Sequence, residues 1–299
     1  MSRFVGVASV QRSAFPGDTE MNVTEMENYI EGVVFEAPFV DLIVFPELCV
    51  QGYSANFAEL AEPVPGPAVE RFRKKAREVK KWIMPGSMFE RDGDKIYNTM
   101  LLISPEGEIV EKYRKMFPWS PLEPSEPGNK FSVVEIPGVG KIGMCICYDM
   151  WFPEVVRTLV SMGAEVIFHP TMTPSSLKDQ ERIVNLGNAV FNQVYFVGCS
   201  ICGPHGLITL AGHSMIVDPE GLILQEAGDT PTVLTEILDL DRVAMVRKYG
   251  TKGLVPLLKH LKHYDHEFPV YACQKAGGPG INELGEIPSL ADMPKKILL

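Results

Sequence analysis

The sequence predicts a layered α/β fold with mixed sheets, folded as a single domain. Short apolar runs that are typical of buried strands alternate along the chain with segments whose apolar residues recur at helical spacing. Several of these runs are joined by short turns rich in Pro, Gly and Asp, which indicates hairpins. A length of 299 residues is enough for one large α/β domain. The alternation therefore favours sheets covered by helices.

The first half of the chain contains most of the predicted hairpins. In order, the pattern predicts a strand at 4–11, a helix at 24–37, a strand at 41–48, a helix at 68–82, and three strands over 82–115 with turns at Asp-Gly and Pro-Glu-Gly. The run at 41–48 is almost purely apolar and stops at a Pro-Glu pair. A short run of this kind is typical of a strand buried on both faces.

The second half continues the alternation. It predicts a hairpin around Pro137-Gly138, a helix at 152–163, a strand at 164–170, a helix at 177–193, a strand at 194–202, a hairpin at 212–228, and a final strand and helix over 233–250. From about Thr251 the composition becomes polar, aromatic and rich in Pro and Gly. We therefore expect a domain at 1–250 and an extended C-terminal tail at 251–299 that contacts another subunit.

Charge and composition exclude several classes of protein. The net charge is −10, with 38 acidic and 28 basic residues, which disfavours nucleic acid or an anionic membrane as a partner. No run of 18 apolar residues suggests a membrane span. The N-terminus begins directly with a strand-like run and lacks the features of a signal peptide, so we expect a cytoplasmic protein. Glycine-rich phosphate-binding signatures are absent, and no cofactor is expected.

The cysteines raise the question of chemistry. There are six in 299 residues, too few for a disulfide scaffold: Cys49, Cys145, Cys147, Cys199, Cys202 and Cys273. The pairs 145/147 and 199/202 could in principle bind zinc, but a C-x-C inside an apolar strand makes a poor zinc knuckle. Buried, unreactive packing is the usual role of a single free cysteine. We expect that role for all of them except Cys147.

Cys147 ends an apolar strand and is followed by Tyr148, Asp149 and a helix that opens at Pro153. A turn from strand to helix exposes its residue at the edge of a sheet and aims backbone N–H groups at the same point. A cysteine there could be a nucleophile, provided that a base and an oxyanion-stabilising group lie nearby. From this stretch alone, the nucleophilic and the inert interpretations are equally supported.

Two kinds of base are conceivable for this thiol. None of the six histidines stands in a distinctive catalytic context, so a Cys–His pair stays open without support. Glu47 follows a buried strand directly after Pro46, where a carboxylate could act as a base or merely lie in solvent. Lys115 follows another strand and could supply the positive charge that an oxyanion requires. Glu123 comes eight residues later.

Three motifs, "FPELCVQGY", "YRKMFPWSPLEP" and "GMCICYDMWFPEVVR", occur in this order and together resemble the catalytic motifs of the nitrilase superfamily of carbon-nitrogen hydrolases. The resemblance covers most of the chain and implies a four-layer α-β-β-α sandwich. It also implies that Glu47 is the general base, Lys115 stabilises the tetrahedral intermediate and Cys147 is the nucleophile. Cys145 would be a buried neighbour.

The second motif is most similar to the aliphatic amidase and formamidase branch. This similarity implies that Glu123 is a second catalytic glutamate that orients the substrate. Candidate substrate-binding residues are Tyr53, Trp119, Tyr148, Trp151, Thr171 and Met172. The chain departs from that branch after Glu123, and also after the strand that precedes His169. The second departure places Thr171 and Met172 where they would reshape the acyl pocket.

The resemblance implies an amidase that hydrolyses a small neutral amide, short and aliphatic or formamide-like, to a carboxylic acid and ammonia through a cysteine thioester. The stretch 149–151 carries no arginine, which disfavours an N-carbamoyl substrate with a carboxylate. Alternatives are a nitrilase or an N-carbamoyl amide hydrolase of the same superfamily, or a non-catalytic binding protein on the same fold. No metal is implied. A homo-oligomer is implied, with contacts through the helix after Cys147 and through the tail.

Overall fold

The computed structural model describes residues 3–206 and 208–268, together with residues 287, 289 and 291. In chain order the helices and strands are β1 (Phe4–Gln11), α1 (Thr19–Glu36), β2 (Leu42–Val44), α2 (Phe57–Leu60), α3 (Pro67–Val79), β3 (Trp82–Met84), β4 (Ser87–Asp92), β5 (Lys95–Ile103), β6 (Ile109–Arg114), β7 (Ser132–Ile136), β8 (Gly140–Met144), α4 (Pro153–Ser161), β9 (Val166–Thr171), α5 (Lys178–Asn192), β10 (Tyr195–Ser200), β11 (Cys202–His205), β12 (Ile208–Ala211), β13 (Met215–Val217), β14 (Ile223–Glu226), β15 (Thr232–Asp239), α6 (Leu240–Tyr249) and α7 (Leu257–His263).

The strands form two large mixed sheets and one separate hairpin. The first sheet has the order β15-β1-β2-β3-β5-β4, with β6 paired to β5. The second has the order β14-β13-β10-β9-β8-β7, and β11 pairs with β12. Parallel pairing joins β1 to β2 and β2 to β3 in the first sheet, and β8 to β9 and β9 to β10 in the second. The carboxyl ends of these parallel strands therefore lie along one edge of each sheet.

The two sheets pack face to face over a shared apolar core. Val7 and Val44 of the first sheet lie in one buried cluster with Ile142, Phe168 and Val197 of the second. These side chains alternate along their strands with residues that face the helices, as the period of a β-strand requires. The centre of the molecule is therefore a sheet-on-sheet layer.

Helices cover the outer face of each sheet. Ile30 of α1 and Phe72 of α3 pack against the first sheet in one cluster, and Val156 of α4 and Ala189 of α5 pack against the second in another. With the two sheets between them, the helices complete an α-β-β-α sandwich. This arrangement confirms the layered α/β fold that the sequence pattern predicted and the four-layer sandwich that the resemblance implied.

Several boundaries differ from the predictions for physical reasons. Helix α1 begins at Thr19 rather than at residue 24, because the Asp18 side chain caps it by accepting a hydrogen bond from the Met21 N–H at 3.0 Å. Strand β2 stops at Val44, before the Pro46 that has no N–H to donate to a sheet. The hairpin of β11 and β12 was not predicted, since its residues lack a clear alternation.

The segment after residue 250 is not wholly extended as expected. Helix α7 occupies Leu257–His263 within it, with basic residues in its last turn. Most of the predicted tail, including Cys273, lies outside the described residues. Contact of the tail with another subunit therefore stays a prediction, as does the domain boundary at 250. Within the described ranges, no helix is both long and apolar enough to cross a bilayer.

The loop that carries Glu47 is held by a close backbone approach at Gly86. This glycine has φ +72°, and a Cβ atom there would overlap the Pro46 carbonyl oxygen. The Ser87 side chain continues the contact, since its Oγ accepts a hydrogen bond from the Leu48 N–H at 3.0 Å. A residue without a Cβ is therefore required where the loop after β3 meets the loop after β2.

Gly86→Ala is expected to destabilise the protein more than Gly93→Ala, which is a matched control. Gly93 also has a positive φ, +61°, but nothing lies within 4 Å of a Cβ built there. Backbone strain alone costs about 1 kcal/mol at such a position, whereas overlap with the Pro46 carbonyl adds a further 1–3 kcal/mol, roughly. Thermal unfolding of the two variants would measure the difference. Equal midpoints would contradict the close approach.

Candidate active site

A lysine held between two glutamates lies buried beside the inter-sheet core. The Lys115 Nζ donates to the Glu47 Oε1 at 2.8 Å and to the Glu123 Oε2 at 2.5 Å. All three side chains are buried, with relative exposures of 1%, 3% and 8%. Asn98 completes the group, since its Nδ2 donates to the Glu47 Oε1 at 2.8 Å and to the Glu123 Oε1 at 2.9 Å. The two carboxylates therefore share the same pair of donors.

The ends of strands in the first sheet position these residues. Glu47 follows β2, and Lys115 follows β6 directly, where its backbone N–H donates to the Asn98 carbonyl of β5 at 2.8 Å. Glu123 lies in the loop after Lys115, and the Trp119 N–H and the Ser125 hydroxyl donate to its carboxylate at 3.0 and 2.9 Å. The carboxylate is thus fixed before any ligand arrives.

Cys147 stands just beyond the end of β8 in the second sheet, at the start of a 3₁₀ turn, Cys147–Trp151. Its φ is +47°, in the left-handed region that L-residues rarely adopt. The His169 Nε2 donates to the Cys147 carbonyl oxygen at 3.1 Å. Strain of this kind persists only where the surroundings enforce it and is common at functional sites. The turn directs the cysteine toward the inter-sheet core, in the same cluster as Met116.

Asp149 ties the cysteine turn to the loop of Lys115. Its carboxylate accepts the Ile146 N–H at 2.9 Å, the Met116 and Phe117 N–H groups at 3.1 and 2.9 Å, and the Tyr113 hydroxyl at 2.7 Å. Burial raises the pKa of Asp149 to about 6, although the hydrogen bonds from Tyr113 and Ile146 oppose this shift. This residue therefore links the two sheets at the point where their candidate catalytic groups meet.

The charged groups of the site shift one another's pKa values. Burial by itself would lower the pKa of Lys115, but the charges of Glu47, Cys147 and Glu123 outweigh burial and raise that pKa well above its ordinary value. Burial likewise opposes ionisation of Glu123, yet the adjacent Lys115 holds the pKa of Glu123 below its usual value. In this structure, Lys115 is a cation and Glu123 is an anion near neutral pH.

The cysteine thiol is neutral in the same environment. Burial raises the pKa of Cys147 well above its ordinary value, and the negative charges of Glu47 and Glu181 raise it further, while Lys115 and a hydrogen bond with Thr171 lower it. A thiol of this kind needs a base to remove its proton when it attacks. The carboxylate of Glu47, which affects the thiol most among its charged neighbours, is suited to that task.

Glu181 is a buried carboxyl group that the sequence did not point to. It lies in the first turn of α5, and its exposure is 7%. Burial raises the pKa of Glu181 to about 7, hydrogen bonds with Thr173 and Thr171 lower it, and the charge of Glu47 raises it. The Thr171 Oγ1 lies 2.8 Å from the Thr173 Oγ1. Glu181 therefore belongs to the surroundings of Cys147 and Glu47.

Two of the predicted substrate-binding residues lie close to the glutamates in one small apolar cluster. Tyr53 and Met172 both pack against a cluster that contains Leu48 and Phe89. The Tyr53 hydroxyl donates to the Leu122 carbonyl at 3.0 Å, and the charge of Glu123 adds to the burial that raises the pKa of Tyr53. Thr171, the third of them, lies beside the thiol. These three residues are therefore placed to border the site.

The three aromatic candidates for substrate binding lie in different surroundings. Trp119 is half-buried and holds Glu123 through its backbone N–H. Tyr148 is also half-buried and packs edge-on against Phe152, with ring centroids 5.2 Å apart. Trp151 packs against the outer cluster between α4, α5 and the second sheet. A role in substrate binding stays a prediction for all three, and the position of Trp151 in the helix-facing layer favours a packing role.

The two buried histidines, His169 and His205, do not provide a base for the thiol. His169 binds the carbonyl oxygen of Cys147 rather than its sulfur, and burial lowers the pKa of His169 to about 4, so the ring is neutral. The His205 Nε2 donates to the Tyr53 carbonyl at 2.8 Å. The alternative of a Cys–His pair therefore gains no support from the geometry.

The other described cysteines are buried thiols without a metal-binding arrangement. Cys145 lies in the helix-facing cluster and Cys147 in the inter-sheet cluster, because the strand ends at Met144 and the chain then turns. Cys199 is buried in the inter-sheet core, where its Sγ donates to the Val44 carbonyl at 3.4 Å. Over the described ranges, no three His, Cys, Asp or Glu side chains are grouped so that they could hold a metal ion.

Four residues of the site were not predicted from the sequence: Asn98, Asp149, His169 and Glu181. A weak signal existed for the first two. Asn98 directly precedes Thr99 and the apolar run that ends its strand, and Asp149 comes two residues after the cysteine. The other two gave no usable signal, because a histidine at a strand end and an acidic residue at a helix start are usually structural.

The geometry brings two glutamates, a lysine and a thiol together where the ends of strands from the two sheets meet. A family model described as carbon-nitrogen hydrolase matches residues 6–248. The chain therefore belongs to the carbon-nitrogen hydrolase family, within the nitrilase superfamily, which confirms the resemblance found in the sequence.

Two curated relatives are each nearly one-third identical in sequence to this chain. The chain is 32% identical over 236 residues to the 2-oxoglutaramate amidase of Bacillus subtilis (strain 168), covering 78% of this chain and 90% of that protein. It is 31% identical over 268 residues to the formamidase of Bacillus thuringiensis (strain Al Hakam), covering 84% and 80% respectively. Both similarities extend over most of each chain.

Solved structures share the fold. Saccharomyces cerevisiae Nit3, a member of branch 10 of the nitrilase superfamily, aligns with a TM-score of 0.78 and 29% identity, covering 82% of this chain and 94% of that one. A variant of the amidase from Nesterenkonia sp. AN1, which carries the acetamide moiety of fluoroacetamide on its active-site cysteine, aligns with a TM-score of 0.74 and 25% identity, covering 83% and 94%.

Proposed function

We propose that this enzyme is an amidase that hydrolyses a short, neutral amide to a carboxylic acid and ammonia through a thioester on Cys147. The observation that carries the proposal is the buried ion pair of Lys115 with Glu47 and Glu123 beside a thiol at the end of a strand. A base, a cation and a nucleophile at one point are the groups that acyl transfer requires. The amidases and the formamidase among its relatives support the same reaction.

In the first step, Glu47 takes the proton of the Cys147 thiol while the sulfur attacks the amide carbonyl carbon. A carbon–sulfur bond forms, and the carbonyl oxygen becomes an oxyanion. The Lys115 ammonium and the backbone N–H of Tyr148 are the proposed donors to that oxygen. Loss of one such donor typically costs about 2.7–4 kcal/mol of transition-state stabilisation.

In the second step, the carbon–nitrogen bond breaks, and the proton on Glu47 passes to the departing nitrogen, which leaves as ammonia. The acyl group stays on Cys147 as a thioester. Glu47 then takes a proton from water as the water attacks the thioester. The carbon–sulfur bond breaks, the acid is released, and the thiol regains its proton. Glu123, fixed by Asn98 and Trp119, holds Lys115 in place throughout.

The site's charge supports an amide without a carboxylate. Glu47 and Glu181 lie near the thiol and Glu123 lies beside Lys115, so these three carboxyl groups face the one ammonium of Lys115. The stretch that follows Cys147 carries no arginine to hold an anionic group. A substrate carboxylate would therefore meet like charge, which disfavours an N-carbamoyl amino acid as the substrate.

Ammonia release from formamide, acetamide and propanamide tests the proposal directly. We expect turnover on at least one of these amides and little on acetonitrile. Added hydroxylamine should capture the acyl group of the thioester as a hydroxamate and release free Cys147. Ammonia release from acetonitrile alone would favour the nitrilase alternative. Absence of ammonia and of hydroxamate from all of them would contradict the proposed function.

A further inference from the structure

Glu181 is a carboxyl group that the proposed reaction leaves unused. Its exposure is 7%, and its Oε2 is fully buried without a hydrogen-bond partner among the residues that the structure describes. Hydrogen bonds with Thr173 and Thr171 involve the same carboxyl group. A buried polar atom without a partner is costly in a folded protein and is typically found where a ligand or water supplies the partner.

The carboxyl group lies near the reacting centre. Its charge acts on the Cys147 thiol, and the charge of Glu47 acts on it in turn. The Thr171 side chain makes a hydrogen bond with the thiol and another with Glu181. Thr171 thus connects the nucleophile to Glu181. Glu181 therefore borders the part of the site in which the acyl group on Cys147 would lie.

A purely structural role explains this placement poorly. The first turn of α5 offers some stabilisation to an acidic side chain, but an exposed position such as that of Asp179 would give the same benefit without burial. The charged neighbour that shifts the pKa of Glu181 is another carboxylate, Glu47, rather than a cation. The missing partner is therefore best supplied by a positively charged donor from outside the chain.

We propose that Glu181 is a specificity-determining residue that accepts a hydrogen bond from an amino group on the acyl chain of the substrate. The inference rests on the proposed amide hydrolysis and changes one part of it: in place of a neutral amide, the substrate is a short amide whose acyl chain ends in an amino group, which is charged near neutral pH. An ammonium at this place offsets the surplus of carboxyl groups around Lys115. It also supplies the donor that the Glu181 Oε2 lacks.

The test compares two substrates of equal size, β-alaninamide and butanamide, which differ in an amino group against a methyl group. We expect wild-type kcat/KM to favour β-alaninamide about tenfold, as one hydrogen bond to a charged group implies. Glu181→Gln should reduce this ratio about tenfold, because a neutral amide replaces the carboxylate. A ratio that is the same in wild type and Glu181→Gln would overturn the proposal.

A matched control removes the same charge from the same helical turn. Asp179→Asn, at an exposed position of α5, should keep the wild-type preference for β-alaninamide. Circular dichroism and thermal unfolding would verify that Glu181→Gln and Asp179→Asn are folded. If Asp179→Asn lowered the ratio as much as Glu181→Gln, the effect would come from long-range charge and the specific contact would be refuted.

The pH dependence gives a second readout that a structural role would not produce. Glu181 ionises as pH rises through about 7, so the wild-type ratio should increase between about pH 6 and about pH 8, where an alkylammonium is still charged. The same pH range should leave the ratio flat in Glu181→Gln. Glu47, Glu123, Lys115 and Cys147 also face this region, but their titration affects both substrates and largely cancels in the ratio.

Binding to inactive enzyme separates this inference from the proposed function. In a Cys147→Ala background, calorimetry should show tighter binding of β-alaninamide than of butanamide, and Glu181→Gln should abolish the difference. If that binding preference held while wild type hydrolysed neither amide, the amidase proposal would fail and the recognition by Glu181 would stand. If both amides were hydrolysed but neither kcat/KM nor binding depended on Glu181, only the recognition would fail.

Discussion

Replacing Cys147 with alanine is expected to abolish ammonia release from every amide that the wild-type enzyme hydrolyses. The sulfur forms the bond to the acyl group, and no other described cysteine lies at the Lys115–Glu47 pair. Removal of the nucleophile from a comparable catalytic group lowers kcat by about 10⁶-fold. The measurement is ammonia release per enzyme, together with intact-mass detection of the acyl-enzyme, which should be absent from the variant.

Cys145→Ala is the matched control for this substitution. Cys145 is fully buried in the helix-facing cluster, so the variant should lose roughly 1 kcal/mol of stability and keep its activity within about threefold of wild type. Wild-type turnover by Cys147→Ala would refute the thioester mechanism. A loss of activity in Cys145→Ala as large as that in Cys147→Ala would mean that the cluster around the strand end, rather than the sulfur of Cys147, is what matters.

Lys115→Met is expected to remove activity and also to destabilise the fold. Without the ammonium, two carboxylates that are 3% and 8% exposed lose their shared cation. Breaking a buried ion pair from one side typically costs about 3–5 kcal/mol. Loss of the oxyanion donor should lower kcat by about 10²–10³-fold even in folded enzyme. Chemical denaturation and steady-state kinetics measure the two effects separately.

Ionisation of Glu123 should stabilise the wild-type fold but destabilise the fold of Lys115→Met. In wild type the pKa of Glu123 is lowered, despite its burial, by Lys115. Its contribution to stability is therefore fully present above the unfolded value of about 4.3 and is lost as pH falls through the folded pKa. In Lys115→Met, burial is no longer opposed by the ammonium, so protonation of Glu123 should stabilise the variant. The stability gap between the two proteins should narrow as pH falls from 7 toward 4.

Lys112→Met, three residues earlier and on β6, provides the control. The Lys112 Nζ lies 2.6 Å from the Glu90 Oε1, but Arg114 binds the same carboxylate, and the Lys112 side chain is 38% exposed. Because Glu90 keeps a partner, the cost should be about 1 kcal/mol or less. A gap between Lys115→Met and wild type that did not change with pH would contradict the arrangement of Lys115 between two buried carboxylates.

Much of the fold could be predicted from local patterns. Buried strands such as β1 and β9 consist mainly of apolar residues, and helix α3 has a clear apolar face, so their existence and type followed from the sequence pattern. Boundaries depended on single contacts that a pattern does not contain. The capping of α1 by Asp18 is one case, and the end of β2 ahead of Pro46 is another.

Residues of the candidate site could be predicted where a residue type suited to catalysis comes soon after a predicted strand. Glu47, Lys115 and Cys147 each follow a strand. The strands β2 and β6 run in the same direction within one sheet, so both end at the same edge, where Glu47 contacts Lys115. Their catalytic roles stay predictions. Glu181 could not be found in this way, because its importance comes from burial of a helix start against Thr171 and Thr173, which only tertiary packing creates.

The aspartate that links the two strand-end loops has a mechanical consequence. Glu47 and Lys115 come from one sheet and Cys147 from the other, and among the described residues the two sheets share no strand. Their alignment depends on the apolar layer between them and on cross-sheet hydrogen bonds, among which those of Asp149 lie at the site itself. A slip of one sheet across the other by about 1 Å would cost about 10²-fold in rate while leaving every ladder intact. The catalytic rate is therefore more sensitive than the secondary structure to the relative position of the two sheets. It should fall while the strands and their hydrogen bonds remain intact.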